Sequence, residues 1–283
     1  MRSLAGAISL ASIAGLSVVV LLLLLAASAV VERLSPPTFT ATVANTPAVS
    51  ADAWQVFDVE TGAVLFTHAS EEVRPVASIT KLSTGAVLLL DEDLFATTTI
   101  TYTDVATEGR AGRLVAGEVY RRHTLLFPLL LESSNDAAVA LARTEPDLLE
   151  TMNAYARNLG LVNTSFADSS GLSDQNSSTV SEIAVLLRHF YFNARHLIDI
   201  SNLDSYLTST TGWINNSPFR NDLDYRGGKH GFTPQAGQTA AVLFEESIRG
   251  GDRMIGYVLL GSSDLVADTK RLRQHVQQSI RVH

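Results

Sequence analysis

Ser78 and Lys81 are the pair in this chain best suited to nucleophilic chemistry. On a helix, residues three apart share one face within side-chain reach. A desolvated lysine there can lose its proton and activate the serine hydroxyl. Lysine occurs only at 81, 229 and 270, against eighteen arginines. A guanidinium cannot be deprotonated in a protein, so the few ammonium positions are the ones that could act as bases. Ser78 follows Pro75-Val76-Ala77 and opens a predicted helix. Unpaired backbone N–H groups and the helix dipole there favour negative charge on an attacked carbonyl. A capping serine beside a solvated lysine has the same spacing, so the pair alone does not assign the chemistry.

Two further segments follow in order: Ser133-Ser134-Asn135 after a helical run, and Lys229-His230-Gly231 on a predicted strand. Ser-x-x-Lys, Ser-x-Asn and Lys-Thr-Gly are the signatures of penicillin-binding proteins and active-site serine β-lactamases. The flanking text fits too: Arg74-Pro-Val-Ala-Ser-Ile-Thr-Lys-Leu82, Leu129-Leu-Leu-Glu-Ser-Ser-Asn-Asp-Ala-Ala138, Met152-Asn-Ala-Tyr-Ala-Arg-Asn-Leu-Gly160 and Asn163-Thr-Ser-Phe-Ala-Asp-Ser-Ser-Gly-Leu172. From about Ala53 to Gln277 the chain resembles the serine D-alanyl-D-alanine carboxypeptidases, the low-molecular-mass penicillin-binding proteins.

That resemblance implies a cofactor-free hydrolase acting on peptidoglycan stem peptides ending in D-Ala-D-Ala, with β-lactam antibiotics as covalent inhibitors. Ser78 would be the nucleophile and Lys81 the base for acylation. Ser133 would relay the proton to the leaving amine, and Asn135 would bind the acyl side of the substrate. Lys229 would hold the substrate's carboxylate, and Gly231 would let substrate approach the strand edge closely. The backbone N–H groups of Ser78 and Phe232 would form the oxyanion hole.

His230 departs from the family pattern, which has Thr or Ser there, so the usual hydroxyl contact to the carboxylate is missing. Imidazole can still donate a hydrogen bond and carries charge near its unperturbed pKa of about 6.5. A β-lactamase, an endopeptidase, a transpeptidase, or a catalytically impaired peptidoglycan-binding or antibiotic-sensing domain would share these motifs. The Glu-x-x-Leu-Asn context of class A β-lactamases does not occur between the second and third motifs.

The elements that must position these residues follow from periodicity. Ala53–Val59 and Ala63–His68 read as a hairpin around Glu60-Thr61-Gly62. Helical spacing covers Ser78–Leu90, Thr124–Leu131, Asp136–Arg143, Asp147–Leu159 and Ser181–Phe192. Strands are predicted over Lys229–Thr233, Thr239–Phe244 and Arg253–Leu260, then a closing helix over Asp264–Ile280. Strands at both ends around a helical middle predict an α/β (α+β) fold: an antiparallel sheet built from both chain ends, flanked by helices, with an inserted helical lobe. The family resemblance gives it a β-lactamase/transpeptidase-like form.

The 283 residues carry a formal charge of −8 and no dense Lys/Arg cluster, which argues against nucleic acid as a partner. No cysteine is present, excluding disulfides and thiol nucleophiles. His68, His123 and His189 lack ligand spacing, so no metal site is expected. Ser3 to Val31 is uncharged and long enough, as a helix, to cross a hydrocarbon core of about 30 Å. Residues 1–33 are therefore read as an N-terminal membrane anchor, with cleavage near Ala27-Ser28-Ala29 as the competing reading. Arg2 before the span, and no Lys or Arg between Arg33 and Arg74, put the body outside the cytoplasmic membrane. Residues 34–51 read as an extended tether outside the core, and 52–283 as the catalytic domain.

Overall fold

The computed structural model describes residues 37–41, 47–109 and 112–283. The chain divides into Met1–Thr38 and Phe39–His283, and the second unit holds every element below. The expected membrane anchor, residues 1–33, lies outside the described residues. Among the described residues no helix is long and apolar enough to cross a membrane.

The principal strands are β1 (Phe39–Ala41), β2 (Ala53–Asp58), β3 (Val64–His68), β4 (Tyr225–Thr233), β5 (Gly237–Ile248), β6 (Gly251–Ser262) and β7 (Ile280–Val282). The helices are α1 (Thr80–Leu88), α2 (Arg122–Leu131), α3 (Asn135–Thr144), α4 (Leu148–Asn158), α5 (Val180–Asn193), α6 (Arg195–Asn202) and α7 (Leu265–Ser279). Five strands form one antiparallel sheet in the order β4-β5-β6-β2-β3, so both ends of the chain build it.

Alternation sorts each strand's side chains onto two cores. Phe57, Ala241, Leu243, Val258 and Leu260 join the helical lobe on one face. Trp54, Val56, Ala240, Val242, Phe244 and Leu259 meet Leu265, Leu272 and Val276 of α7 on the other. Helix α1 is buried along its whole length, wedged among α2, α3, α4 and α6. A helix buried all round shows little amphipathic pattern, yet its fixed position is what lets it hold a reactive group.

Where residues 34–51 are described, the tether reading needs correction. Phe39–Ala41 pairs antiparallel with β7, and the Ser50 N–H and hydroxyl both donate to Asp268, at 2.9 and 2.6 Å. Ala51 is buried in the α7-side core. Backbone pairing of a three-residue strand does not require an apolar pattern, so residues 39–41 carry no strand signature. Helix α6 was also not expected. Its eight residues follow α5 almost directly and give barely two turns of periodicity.

Candidate active site

Ser78 sits in a single 3-10 turn, Ala77–Ile79, that runs directly into α1. The turn is pinned from three sides. Val76 N–H donates to the Asn176 carbonyl at 2.9 Å, Thr239 Oγ1 to the Val76 carbonyl at 3.0 Å, and Thr80 Oγ1 to the Ala77 carbonyl at 2.8 Å. Ala77 adopts φ +49°, and Ser133, at the tight junction between α2 and α3, adopts φ +60°. Left-handed geometry at a non-glycine residue costs on the order of 1–3 kcal/mol and persists where the surroundings over-determine it. Two such residues frame this site.

Lys81 is fully buried on the first turn of α1. Its Nζ donates to Ser78 Oγ at 3.1 Å, Asn135 Oδ1 at 2.8 Å and the Ser170 carbonyl at 2.5 Å. Three acceptors match the three protons of an ammonium. Burial pulls the lysine down from 10.5 to about 7, against the attraction of Asp168, which raises it. At neutral pH a substantial fraction of the amine is therefore free to accept a proton.

The second motif divides its work among three residues. Ser133 faces the cleft, Ser134 caps α3 by accepting the Ala137 N–H at 2.9 Å, and Asn135 opens the helix. Asn135 is itself aligned by donating Nδ2 to the Glu108 carbonyl at 2.9 Å.

The third motif lies on β4, the sheet's edge strand beside Ser78. A Cβ on Gly231 would stand 2.5 Å from the Ser78 backbone nitrogen, so only glycine allows this approach. The Gly228 N–H donates to Ser201 Oγ of α6 at 2.8 Å, and the His230 carbonyl accepts from Lys229 Nζ at 2.7 Å. Past the register shift that ends at Gly228, the even-numbered residues of β4 thus turn their backbone groups away from β5, and by alternation the Phe232 N–H faces the open edge. Lys229 is buried opposite Ala241 on the helical-lobe face. His230 pairs with Ala240 and so stands on the α7 face.

A cavity of ≈ 720 Å³ is lined by Ser78, Ser133, Asn135, His230, Gly231 and Phe232, together with Gly109, Gly171, Leu172, Asn216, Pro218, Thr233, Gln238, Leu265 and Val266. Six of the eight residues singled out in the sequence line it. Lys81 lies beneath it, bonded to Ser78 and Asn135, and Lys229 is buried on the same edge strand. None of the lining side chains is acidic, which suits an anionic ligand. Among the described residues no group of three or more His, Asp or Glu side chains is placed to hold a metal ion.

Motif reasoning missed the groups that orient this pair: the carbonyls of Glu108 and Ser170 and the carboxylate of Asp168. Backbone acceptors carry no residue-type signature. The Asp168-Ser-Ser-Gly171 text does signal a side-chain-braced turn, but not that the turn meets a lysine 89 positions away. The cavity wall from α7 was equally unannounced.

Comparison with known proteins agrees with this architecture. The crystal structure of a D-alanyl-D-alanine carboxypeptidase from Mycobacterium tuberculosis superposes with TM-score 0.76 at 25% identity, covering 85% of this chain and 97% of that one. A D-alanyl-D-alanine carboxypeptidase of a Streptomyces species is 28% identical over 250 residues, 79% of this chain and 85% of the relative. A D-alanyl-D-alanine endopeptidase of Escherichia coli is 33% identical over 159 residues, 53% of this chain and 50% of the relative. The chain spans about half the length of that endopeptidase and of those from Haemophilus influenzae and Pseudomonas aeruginosa. The sequence profile of the D-alanyl-D-alanine carboxypeptidases matches residues 40–262, from β1 to the end of β6, and the chain belongs to that peptidase family.

Proposed function

We propose that the protein is a serine D-Ala-D-Ala carboxypeptidase that removes the terminal D-alanine from peptidoglycan stem peptides. The observation that carries this reading is the buried Lys81 amine, 3.1 Å from the Ser78 hydroxyl and lowered to about 7. Ser78 Oγ attacks the carbonyl between the two D-alanines while Lys81 takes its proton. The developing oxyanion is held by the Ser78 and Phe232 N–H groups. Ser133 passes a proton to the leaving amine, D-alanine departs, and water hydrolyses the ester to restore Ser78. Asn135 holds the acyl side, while Lys229, with His230 on the opposite face of its strand, serves the substrate's carboxylate. β-Lactams would acylate the same serine.

The test is labelling with a fluorescent penicillin. Wild type should form a stable covalent adduct and Ser78→Ala none. An unlabelled wild type would undo the catalytic reading in favour of an impaired binding domain, and rapid loss of a formed label would indicate a β-lactamase.

Endopeptidase action is the second reading, favoured by the endopeptidase names of the relatives at 33–36% identity. Chromatography of digested muropeptides separates the two. Release of free D-alanine marks the carboxypeptidase, and conversion of cross-linked dimers to monomers marks the endopeptidase.

The same proposal places the catalytic domain outside the cytoplasmic membrane, held by residues 1–33 as a single-pass anchor. Its support is the uncharged run from Ser3 to Val31. Recovery of the full chain in the carbonate-washed membrane fraction is the expected result.

A further inference from the structure

Asp168 belongs to none of the three motifs, yet the turn after it is built around its carboxylate. Oδ1 accepts the N–H groups of Ser170 at 2.7 Å and Gly171 at 2.6 Å and the Ser170 hydroxyl at 2.9 Å; Oδ2 accepts the Ser173 N–H at 2.6 Å. The turn so fixed has two contacts with the reactive pair. The Ser170 carbonyl accepts from Lys81 Nζ at 2.5 Å, and Gly171, at φ +85°, lies so close to Ala77 that a Cβ would overlap its carbonyl oxygen. A neutral side chain could accept some of these bonds, so the carboxylate brings something besides shape: a negative charge facing a buried ammonium through one carbonyl.

We propose that Asp168 is a positioning residue for the Ser78–Lys81 pair, its carboxylate both holding the 168–173 turn that aims the Ser170 carbonyl at Lys81 and acting as the lysine's counter-charge. The inference rests on the reading of Lys81 as the acylation base and adds the group that governs it.

The other groups around Lys81 leave this role to Asp168. Asn135 and Ser78, its remaining hydrogen-bond partners, are uncharged. Asp136, beside Asn135, is pushed up to about 6 by burial and by Asp104. Asp168 is the charged group that raises Lys81, whereas Lys229 is a buried cation on the helical-lobe face of the edge strand and His230 stands on that strand's α7 face. Asp168 stays ionised: burial pushes it up, but the N–H groups of Ser173, Gly171 and Ser170 and the Ser170 hydroxyl outweigh burial and hold it below its usual value.

With only three lysines in the chain, the lysine charge is directly readable by NMR of selectively labelled full-length protein in detergent micelles, Lys81 being assigned by its loss in Lys81→Arg. In Asp168→Asn, which removes the charge and keeps an acceptor oxygen, the Lys81 titration midpoint should fall by on the order of one pH unit. Asp168→Glu should restore most of it. A midpoint that does not move in a folded Asp168→Asn variant overturns the inference. Penicillin acylation rates are measured in parallel. If the Lys81 midpoint falls while the acid limb of acylation stays where it was, the counter-charge role stands and the reading of Lys81 as the base is what fails.

Discussion

A hydroxyl becomes a nucleophile near pH 7 only when the group beside it can take a proton there, and Lys81 meets that condition through burial. Because the neutral amine is the active form, the second-order rate of penicillin acylation should rise with pH through about 7 and level off above it. Lys81→Arg keeps the charge, cannot act as a base, and should lower that rate by roughly 10²–10⁴-fold across the range. His230 is the other residue whose type matters. Family members place a hydroxyl at this position of the third motif, and His230 borders the same cavity. His230→Thr should preserve or raise D-alanine release from a stem-peptide substrate at pH 7; a large fall would assign the imidazole a role of its own.

At the scale of elements, the site is a meeting of one helix start, one interhelical junction and one strand edge. Their separations are set by glycines where chains nearly touch. Gly231→Ala brings a Cβ to 2.5 Å from the Ser78 nitrogen and should displace one of the two oxyanion donors. Acylation should then drop by about 10²–10³-fold, in line with loss of a single donor. Relieving a contact with a backbone atom costs about 1–3 kcal/mol, so the thermal midpoint should also fall by several degrees, and acylation is compared per folded molecule. A collapse of stability equal to the loss of activity would make Gly231 a folding position instead. Helix α6 supports the same edge from behind, through Ser201 and the Gly228 N–H.

For the molecule as a whole, the sheet must be closed by α7, because without it the apolar face carrying Trp54, Val242 and Phe244 would meet water. Each such side chain contributes about 1.5–3 kcal/mol by its burial. Beneath α7 lies a charged network. Glu246 is fully buried and accepts from Arg273 Nε at 2.5 Å, Gln277 Nε2 at 2.6 Å and Tyr257 at 3.0 Å, while Arg273 also pairs with Asp222 and Asp224. Arg273→Met leaves that carboxylate without its cation and should cost about 3–5 kcal/mol, read as a lower urea midpoint with an unchanged slope. Labelling per folded molecule should be retained, since Arg273 does not line the active cavity.

The strands of the sheet, most helices and all three motifs were legible in the sequence, because alternation, helical period and residue type are local properties. Ser78 and Lys81 could be paired by spacing alone, and family resemblance joined them to Ser133 and Lys229. What the sequence could not supply was the environment. Whether Lys81 is a base or a solvated cation depends on its burial and on a carbonyl and a carboxylate that arrive from residues 168–170. At residues 39–41 the tether reading failed for the related reason that β-pairing with the far end of the chain leaves no periodic trace in a three-residue strand. Chemistry was written in residue types; the proton affinity that makes it work comes from long-range packing, which excludes water from Lys81 and sets Asp168 behind it.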